Sequence, residues 1–255
     1  MQKSTNTIEI ITHCYSPVEV PIYHWLMKMQ MRSLLGVSRN TIKIIFTAIM
    51  MEGDELSLGV FTEMQALLEL EGIQCKKMML QKAGFFRRAI GRNQAALATC
   101  ADVVWFADAD YLFMYDSLER AVEQSLTAHA DLTWPGMVHI HQQHQFGDAL
   151  IDRWEAGEQP EVDLSEFSPR RERRAIGGMQ VVNGKYCRSS GYLKDTNWLK
   201  PDEKIGRVYC GSDVAFRRQL KQVLIAGDIP GIYRIRHSTA GRDFGKRDHG
   251  AKTRV

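Results

Sequence analysis

The sequence predicts an α/β protein built on an open, mainly parallel sheet flanked by helices, and three observations predict it. Strand-like and helix-like segments alternate over roughly the first 110 residues, the pattern of a sheet with crossover helices. The strand-like run VVWFA (103–107) is apolar throughout, as strands covered on both faces are. That run then passes into two aspartates, Asp108 and Asp110, at the carboxyl edge where open α/β sheets bind ligands.

Taken in order, IEIIT (8–12) is a β-branched run that ends in the turn-like THCYSP. In VEVPIYHWLMKMQMRSLLGV, apolar residues fall at Ile22, Trp25, Leu26, Met29 and Leu34, close to helical spacing, with Gly36 as the stop. TIKIIFTAIM (41–50) reads as a second strand, LGVFTEMQALLELEG as a helix near 58–71, and IQCKKMML (73–80) as a third strand. GRNQAALATC fits a helix before the fourth strand. Further on, DSLERAVEQSLTAHAD (116–131) is a helix that Ser117 can cap, and LTWPGMV is one more strand. Residues 139–176 are polar and charged with little periodicity, and read as a long excursion holding one short helix. Order returns with GGMQVVNGKYC, a capped helix in GSDVAFRRQLKQ and a last strand in IYRIRH. No internal repeat interrupts the 255 residues, and no domain boundary is visible.

Composition excludes several classes. Hydrophobic residues at 44% and charged residues at 25% belong to a folded globular chain, and a net charge of +3 is too small to argue for a nucleic-acid binder. Five scattered cysteines, none in a C-x-x-C pair, suit reduced thiols better than disulfides or a zinc site. No run reaches the length of apolar residues that a membrane span needs, so a cytoplasmic protein is expected, with attachment at the inner membrane face open.

Two adjacent anions at a strand mouth repel, and desolvating either costs several kcal/mol. Hard oxygen ligands of this kind hold Mg²⁺ or Mn²⁺, which also grip phosphate oxygens. The bland reading is that one aspartate caps a helix while the other is solvated. With FADAD midway, the order of elements resembles nucleotide-sugar glycosyltransferases of the GT-A fold, nearest the family-2-like group. GRNQAA (91–96) is similar to that group's Arg-Asn motif, GGMQVVNG (177–184) to its glycine-containing acceptor-side segment, and GSDVAFRRQL (211–220) to its acidic motif. IYRIRH (232–237) ends where some members place a metal-binding histidine.

The resemblance implies a metal-dependent, inverting transfer of a sugar from a nucleotide-diphosphate donor, a UDP sugar favoured, to an acceptor hydroxyl. Asp110 would ligate Mn²⁺ or Mg²⁺ and Asp108 the ribose or the metal's water shell, while His237 would supply an imidazole. Arg92, with Thr12, Tyr15 and Ala109, would line the nucleotide. Asp213 would be the general base, and the alternative is that Ser212 and Asp213 only cap their helix. Gly177, Gly178, Met179 and Trp134 would face the sugar or acceptor, Trp134 and Trp198 being equally readable as core. The halves would be 1–115 for nucleotide and 116–237 for acceptor, with 238–255 a flexible tail or a lid carrying Arg242 and Lys246.

The sequence departs from the pattern at Ser212, where an acidic residue is usual, and at Thr47-Ala48, where an aspartate often meets the base; Glu52 or Asp54 would substitute. HIHQQH (139–144) reads as an acceptor-side loop rather than a zinc site, and PRRERR (169–174) as a solvated loop or a contact for an anionic acceptor. The acceptor itself, whether glycan, lipid-linked or protein, is not legible. The rival from another class is a non-catalytic nucleotide- or glycan-binding protein on the same fold.

Overall fold

The computed structural model describes residues 5–14, 23–143, 146–158, 160–200, 211–220 and 225–237. Its large sheet has seven strands in the order β10-β6-β9-β4-β1-β2-β3. These are β1 (Asn6–Cys14), β2 (Ile42–Met51), β3 (Gln74–Leu80), β4 (Val103–Asp108), β6 (Leu132–Pro135), β9 (Met179–Asn183) and β10 (Ile225–Gly227). Only β9 runs against the others: β1, β2, β3 and β4 pair in parallel, and β6 pairs in parallel with β10. The four other strands, β5 (Tyr111–Phe113), β7 (Met137–His141), β8 (Phe167–Arg171) and β11 (Ile232–Arg234), form a small sheet in the order β5-β11-β7-β8.

The helices are α1 (Tyr23–Ser33), α2 (Glu55–Leu70), α3 (Lys82–Phe85), α4 (Arg88–Ala98), α5 (Ser117–Thr127), α6 (Phe146–Glu155), α7 (Gly184–Ser190) and α8 (Ser212–Gln219). No helix among the described residues is long and apolar enough to cross a membrane. Strands from both halves of the chain share one core, and Val103 to Ala107 at its centre are fully buried. Each such side chain contributes on the order of 1.5–3 kcal/mol by leaving water. A buried carboxylate sits in this sheet too: Glu9 accepts hydrogen bonds from the hydroxyls of Thr47 (2.6 Å) and Thr99, with the Lys76 ammonium 4.0 Å away. Thr99 is the C-cap of α4, so the contact latches that helix to β1 and β2.

The structure corrects four expectations. LTWPGMV is two strands in two sheets, broken at Gly136, whose N–H donates to Gly227 O at 3.0 Å. The supposed excursion supplies β7, α6 and β8. Its sheet alternation is concealed by imidazoles that pack as flat rings, His139 on Tyr233 at 4.8 Å and His141 on Phe146 at 3.7 Å between centroids. The first half of HIHQQH, His139 to His141, is therefore strand. His144 and the whole tail 238–255, including Arg242 and Lys246, lie outside the described residues, as does Tyr15. Ser117 is not a cap: it is the first residue of α5, buried, with its hydroxyl unbonded.

Candidate nucleotide-sugar site

Asp108 is the last residue of β4 and stands beside His13 of β1, so the strand itself delivers its carboxylate to the sheet edge. The turn through Ala109 brings Asp110 to the small sheet, where the Ile235 N–H donates to its carbonyl at 2.8 Å. Gln30 of α1, fully buried, clamps this turn by donating from its amide to Asp108 O (2.9 Å) and Tyr111 O (3.0 Å). Thr12 is also fully buried, and its hydroxyl donates to the Gln30 carbonyl oxygen at 2.8 Å. Its place is in this clamp.

Three arginines compensate the two aspartates. Arg88 and Arg92, one turn apart on α4, both reach Asp108 Oδ1, at 3.1 and 3.2 Å. Arg234 of β11 donates from Nε to Asp110 Oδ2 at 2.9 Å, and its guanidinium lies 5.5 Å from the Tyr111 ring centre. Burial pushes the Asp108 carboxyl up, but Arg88, Arg92, Arg234 and His237 outweigh it and hold the group below the ordinary carboxylate range. Asp108 therefore stays ionised at neutral pH.

A divalent cation fits Asp110 and His237. Asp110 Oδ1 is buried with no hydrogen-bond partner, and His237 Nε2 lies 3.9 Å from Oδ2 of the same carboxylate. His237 meets Tyr23 edge-on (5.6 Å between ring centres) and packs on Gly147, where an added Cβ would stand 3.2 Å from the His237 Cβ. Burial lowers its pKa, against the pull of Asp110 and Asp148, so the imidazole is neutral as a metal ligand must be. Asp108 is not grouped with them, since its Oδ1 already carries two arginines. No cluster of three or more His, Cys, Asp or Glu side chains suits a metal among the described residues. An ion here would take its other ligands from phosphate and water, as Mg²⁺ and Mn²⁺ commonly do.

Of the residues expected on the acceptor side, Gly177 and Gly178 reach the same point. A Cβ on Gly178 would stand 2.6 Å from the Tyr111 ring and 3.0 Å from the Asp108 carboxylate, so only glycine lets this backbone approach. A Cβ on Gly177 would lie 3.6 Å from Asp213 Cβ and 3.7 Å from Arg92 Nη1. Asp213 is half-buried in the first turn of α8, whose N-cap is Gly211 in a left-handed conformation (φ 107°) without a side-chain capping bond. Neither Ser212 nor Asp213 is thus used as the cap. Met179 is buried in β9. Trp134 is only 7% exposed, and its indole donates to Glu172 O at 3.2 Å, which makes it core rather than a sugar platform. Trp198, half-buried, lies 3.4 Å from where a Gly211 Cβ would be.

Of the positions weighed for the nucleotide base, two have other partners and one is exposed. Thr47 serves Glu9, Asp54 caps α2 through the Ser57 N–H and hydroxyl (3.1 and 2.7 Å), and Glu52 is exposed. Sequence reasoning missed Arg88, Arg234, Gln30, Tyr192 and Gln180. Two of them carried a signal: Arg88 precedes Arg92 by one helical turn in RRAIGRN, and Arg234 shares a short strand segment with His237. The other three are polar residues whose partners are remote in sequence.

No family model matches the sequence, and neither does any curated protein. Among solved structures, Staphylococcus aureus TarS residues 1–349 align with a TM-score of 0.55 and 14% identity over 90% of this chain. The same segment in complex with UDP aligns at 0.54 and 13% over 90% of the chain, and in complex with UDP-GlcNAc at 0.53 and 12% over 92%. The chain spans 60% of the length of each of these three. At such identities the likeness is one of fold, and the fold is the GT-A-type sheet flanked by helices that the sequence predicts.

Proposed function

We propose that this protein is a glycosyltransferase that moves a sugar from a nucleotide-diphosphate donor, a UDP sugar foremost, to an acceptor hydroxyl. One observation carries the reading. Two aspartates, three arginines and a separate carboxylate, Asp213, converge at the carboxyl edge of a parallel sheet whose fold is shared with a UDP-GlcNAc-binding structure.

In this reading, Arg88 and Arg234, each about one-third exposed, meet the donor diphosphate and offset its charge as it leaves. Asp110 and His237 would hold Mn²⁺ or Mg²⁺, which when bound adds charge neutralisation at the leaving diphosphate. Asp108 is kept ionised to accept hydrogen bonds from the donor. Asp213 takes the proton from the acceptor hydroxyl, the role a lone carboxylate plays in an inverting transfer. Gly177 and Gly178 keep the space between Asp213 and Asp108 clear for the sugar.

Thermal unfolding with UDP, GDP, CDP and dTDP, each with Mn²⁺, Mg²⁺ or EDTA, tests the donor side. A ligand at a hundred times its dissociation constant adds about 2.7 kcal/mol, which raises the midpoint by a few degrees. Stabilisation by one nucleotide supports the reading, and its dependence on the cation tests the metal. No shift with any nucleotide overturns it.

A further inference from the structure

A continuous line of hydrogen bonds joins Asp108 to Asp213 through the interior. Arg92 Nη2 donates to Asp108 Oδ1 at 3.2 Å, and its Nη1 donates to the Tyr192 hydroxyl at 3.1 Å. Tyr192 donates onward to Gln180 Oε1 at 2.8 Å, and Gln180 Nε2 donates to the Asp213 carbonyl at 3.3 Å. Arg92 is 2% exposed, and Tyr192 and Gln180 are fully buried. The two inner links, Arg92 to Tyr192 and Tyr192 to Gln180, are therefore shielded from competing water while the two ends are part-buried, and polarising one bond strengthens the next.

The aromatic surroundings fix the line in place. The Tyr192 ring is stacked on Phe216 of α8 (4.4 Å, 11°) and meets Phe106 of β4 edge-on at 4.8 Å. The Arg92 guanidinium lies 5.4 Å from the Tyr192 ring and 5.7 Å from Phe106. Asn93, next to Arg92, accepts from the N–H groups of Tyr192 (2.9 Å) and Leu193 (3.1 Å). Gln219 at the far end of α8 donates to Tyr192 O at 2.6 Å. The helix carrying Asp213 is thus fastened to the Tyr192 segment at its middle, through Phe216, and at its far end, through Gln219. A plain structural anchor would be satisfied by the ring stack and Gln219. The additional polar line runs to Asp108, the carboxylate that faces the donor.

We propose that Tyr192 and Gln180 are positioning residues that couple the state of Asp108 to the placement of Asp213, so that engaging the donor sets the general base. The proposal rests on the functional reading above and assigns that site an internal link between its two halves. Neither residue reaches the substrate. Their effect passes through Arg92 on one side and the backbone of α8 on the other.

Amide hydrogen exchange over residues 212–219 tests it without any acceptor. In the ligand-free protein, Asp108→Asn should speed exchange in that segment by roughly five- to tenfold, the size of an ordinary coupling between sites. The same change made in a Tyr192→Phe background, which keeps the ring stack, should add almost nothing. With UDP and Mn²⁺ or Mg²⁺ added, wild type should slow exchange in 212–219 by a similar factor, whereas Tyr192→Phe should bind UDP and lose that protection. Gln180→Glu, which retains an acceptor for Tyr192 but loses the donor to Asp213 O, should behave as Tyr192→Phe does. Equal responses in wild type and Tyr192→Phe, with or without UDP, overturn the proposal. If the ligand-free coupling is present but UDP, GDP, CDP and dTDP all fail to bind, the donor reading falls and the proposed purpose of the line falls with it.

Discussion

Arg234 donates from Nε to Asp110 Oδ2 at 2.9 Å, while Oδ1 of that carboxylate is buried with no partner. The two residues come from different sheet strands and turns, and are brought together by the antiparallel pairing of β5 with β11, in which Arg234 is opposite Tyr111. A guanidinium on one oxygen and nothing on the other leaves the carboxylate half-satisfied. That is a poor arrangement for stability alone, because an unpaired buried acceptor costs about 1–3 kcal/mol. It suits a group that has yet to meet a cation.

Arg234→Met should therefore lower the stability of the ligand-free protein by about 1–3 kcal/mol, at the lower end of the cost of breaking a buried ion pair because Arg234 is 33% exposed. Mn²⁺ alone should then stabilise the variant more than wild type, since the metal no longer competes with a guanidinium. Urea unfolding with and without Mn²⁺ measures both effects. Identical Mn²⁺ shifts in the two proteins would remove Asp110 as a metal ligand.

Gly178→Ala should damage the site. The added methyl would stand 2.6 Å from the Tyr111 ring, inside any permitted contact, and 3.0 Å from Asp108. Relief requires the buried Tyr111 ring to shift and the Asp108 carboxylate beside it to give way from Arg88 and Arg92. Calorimetric titration with UDP should show at least about a tenfold loss of affinity, equivalent to about 1.4 kcal/mol. Retention of wild-type affinity would mean that the donor lies elsewhere.

Much of this arrangement was legible in the sequence, and the reasons differ residue by residue. The parallel core was visible because strand-like and helix-like segments alternate and VVWFA is apolar throughout, and the Asp108–Asp110 pair because it breaks that run. Gly177, Gly178 and Asp213 were singled out by motif, and the structure sets Gly178 against Asp108 and Gly177 near Asp213 and Arg92. His139 and His141 misled because an imidazole counts as polar in a pattern yet stacks like a phenyl ring at a sheet position. Glu9, Gln30, Gln180 and Tyr192 were invisible for another reason: each is a polar group inside a core, and what allows it to be there is a partner between 12 and 90 residues away. Sequence periodicity carries no record of such partners.

Glu9 shows how firmly such a group is embedded. Glu9→Ala leaves the hydroxyls of Thr47 and Thr99 without their acceptor in a closed part of the sheet. Stability should fall by about 2–4 kcal/mol, as for other buried hydrogen-bonded charges that lose one partner. Chemical denaturation measures the loss, and nucleotide binding by the folded fraction should be unchanged because Glu9 lies well back along β1 from Asp108. A loss below about 0.5 kcal/mol would mean that the site relaxes or admits water.

Asp213→Asn should separate catalysis from binding. The amide keeps the size of the carboxylate and the Asp213 carbonyl keeps its bond from Gln180, so the helix is undisturbed. Loss of a general base typically costs about 10²- to 10⁴-fold in rate. UDP-induced thermal stabilisation should persist while sugar transfer disappears. Full activity in the variant would exclude Asp213 from the reaction, whereas nucleotide binding with no transfer by wild type would favour the reading of a nucleotide-binding protein without turnover.

Stability should also depend on pH through two buried histidines. Burial holds the His24 pKa at about 4, against 6.5 for an ordinary imidazole, with Asp54 pulling it up and Lys28 pushing it down. His13 is lowered well below that ordinary value, first by burial and then by Arg92 and Arg88. Between pH 6.5 and about 4 the unfolded chain takes up a proton at position 24 that the folded chain refuses, so stability rises with pH across this window. The contribution is intact above 6.5 and is lost as the pH falls towards 4. For His24 it amounts to about 1–2 kcal/mol once solvent screening is allowed for, with His13 acting in the same direction. Urea midpoints at about pH 7.5 and about pH 5 should therefore differ less in His24→Phe than in wild type. Parallel slopes in the two proteins would show that His24 is protonated as readily in the folded state as in the unfolded one.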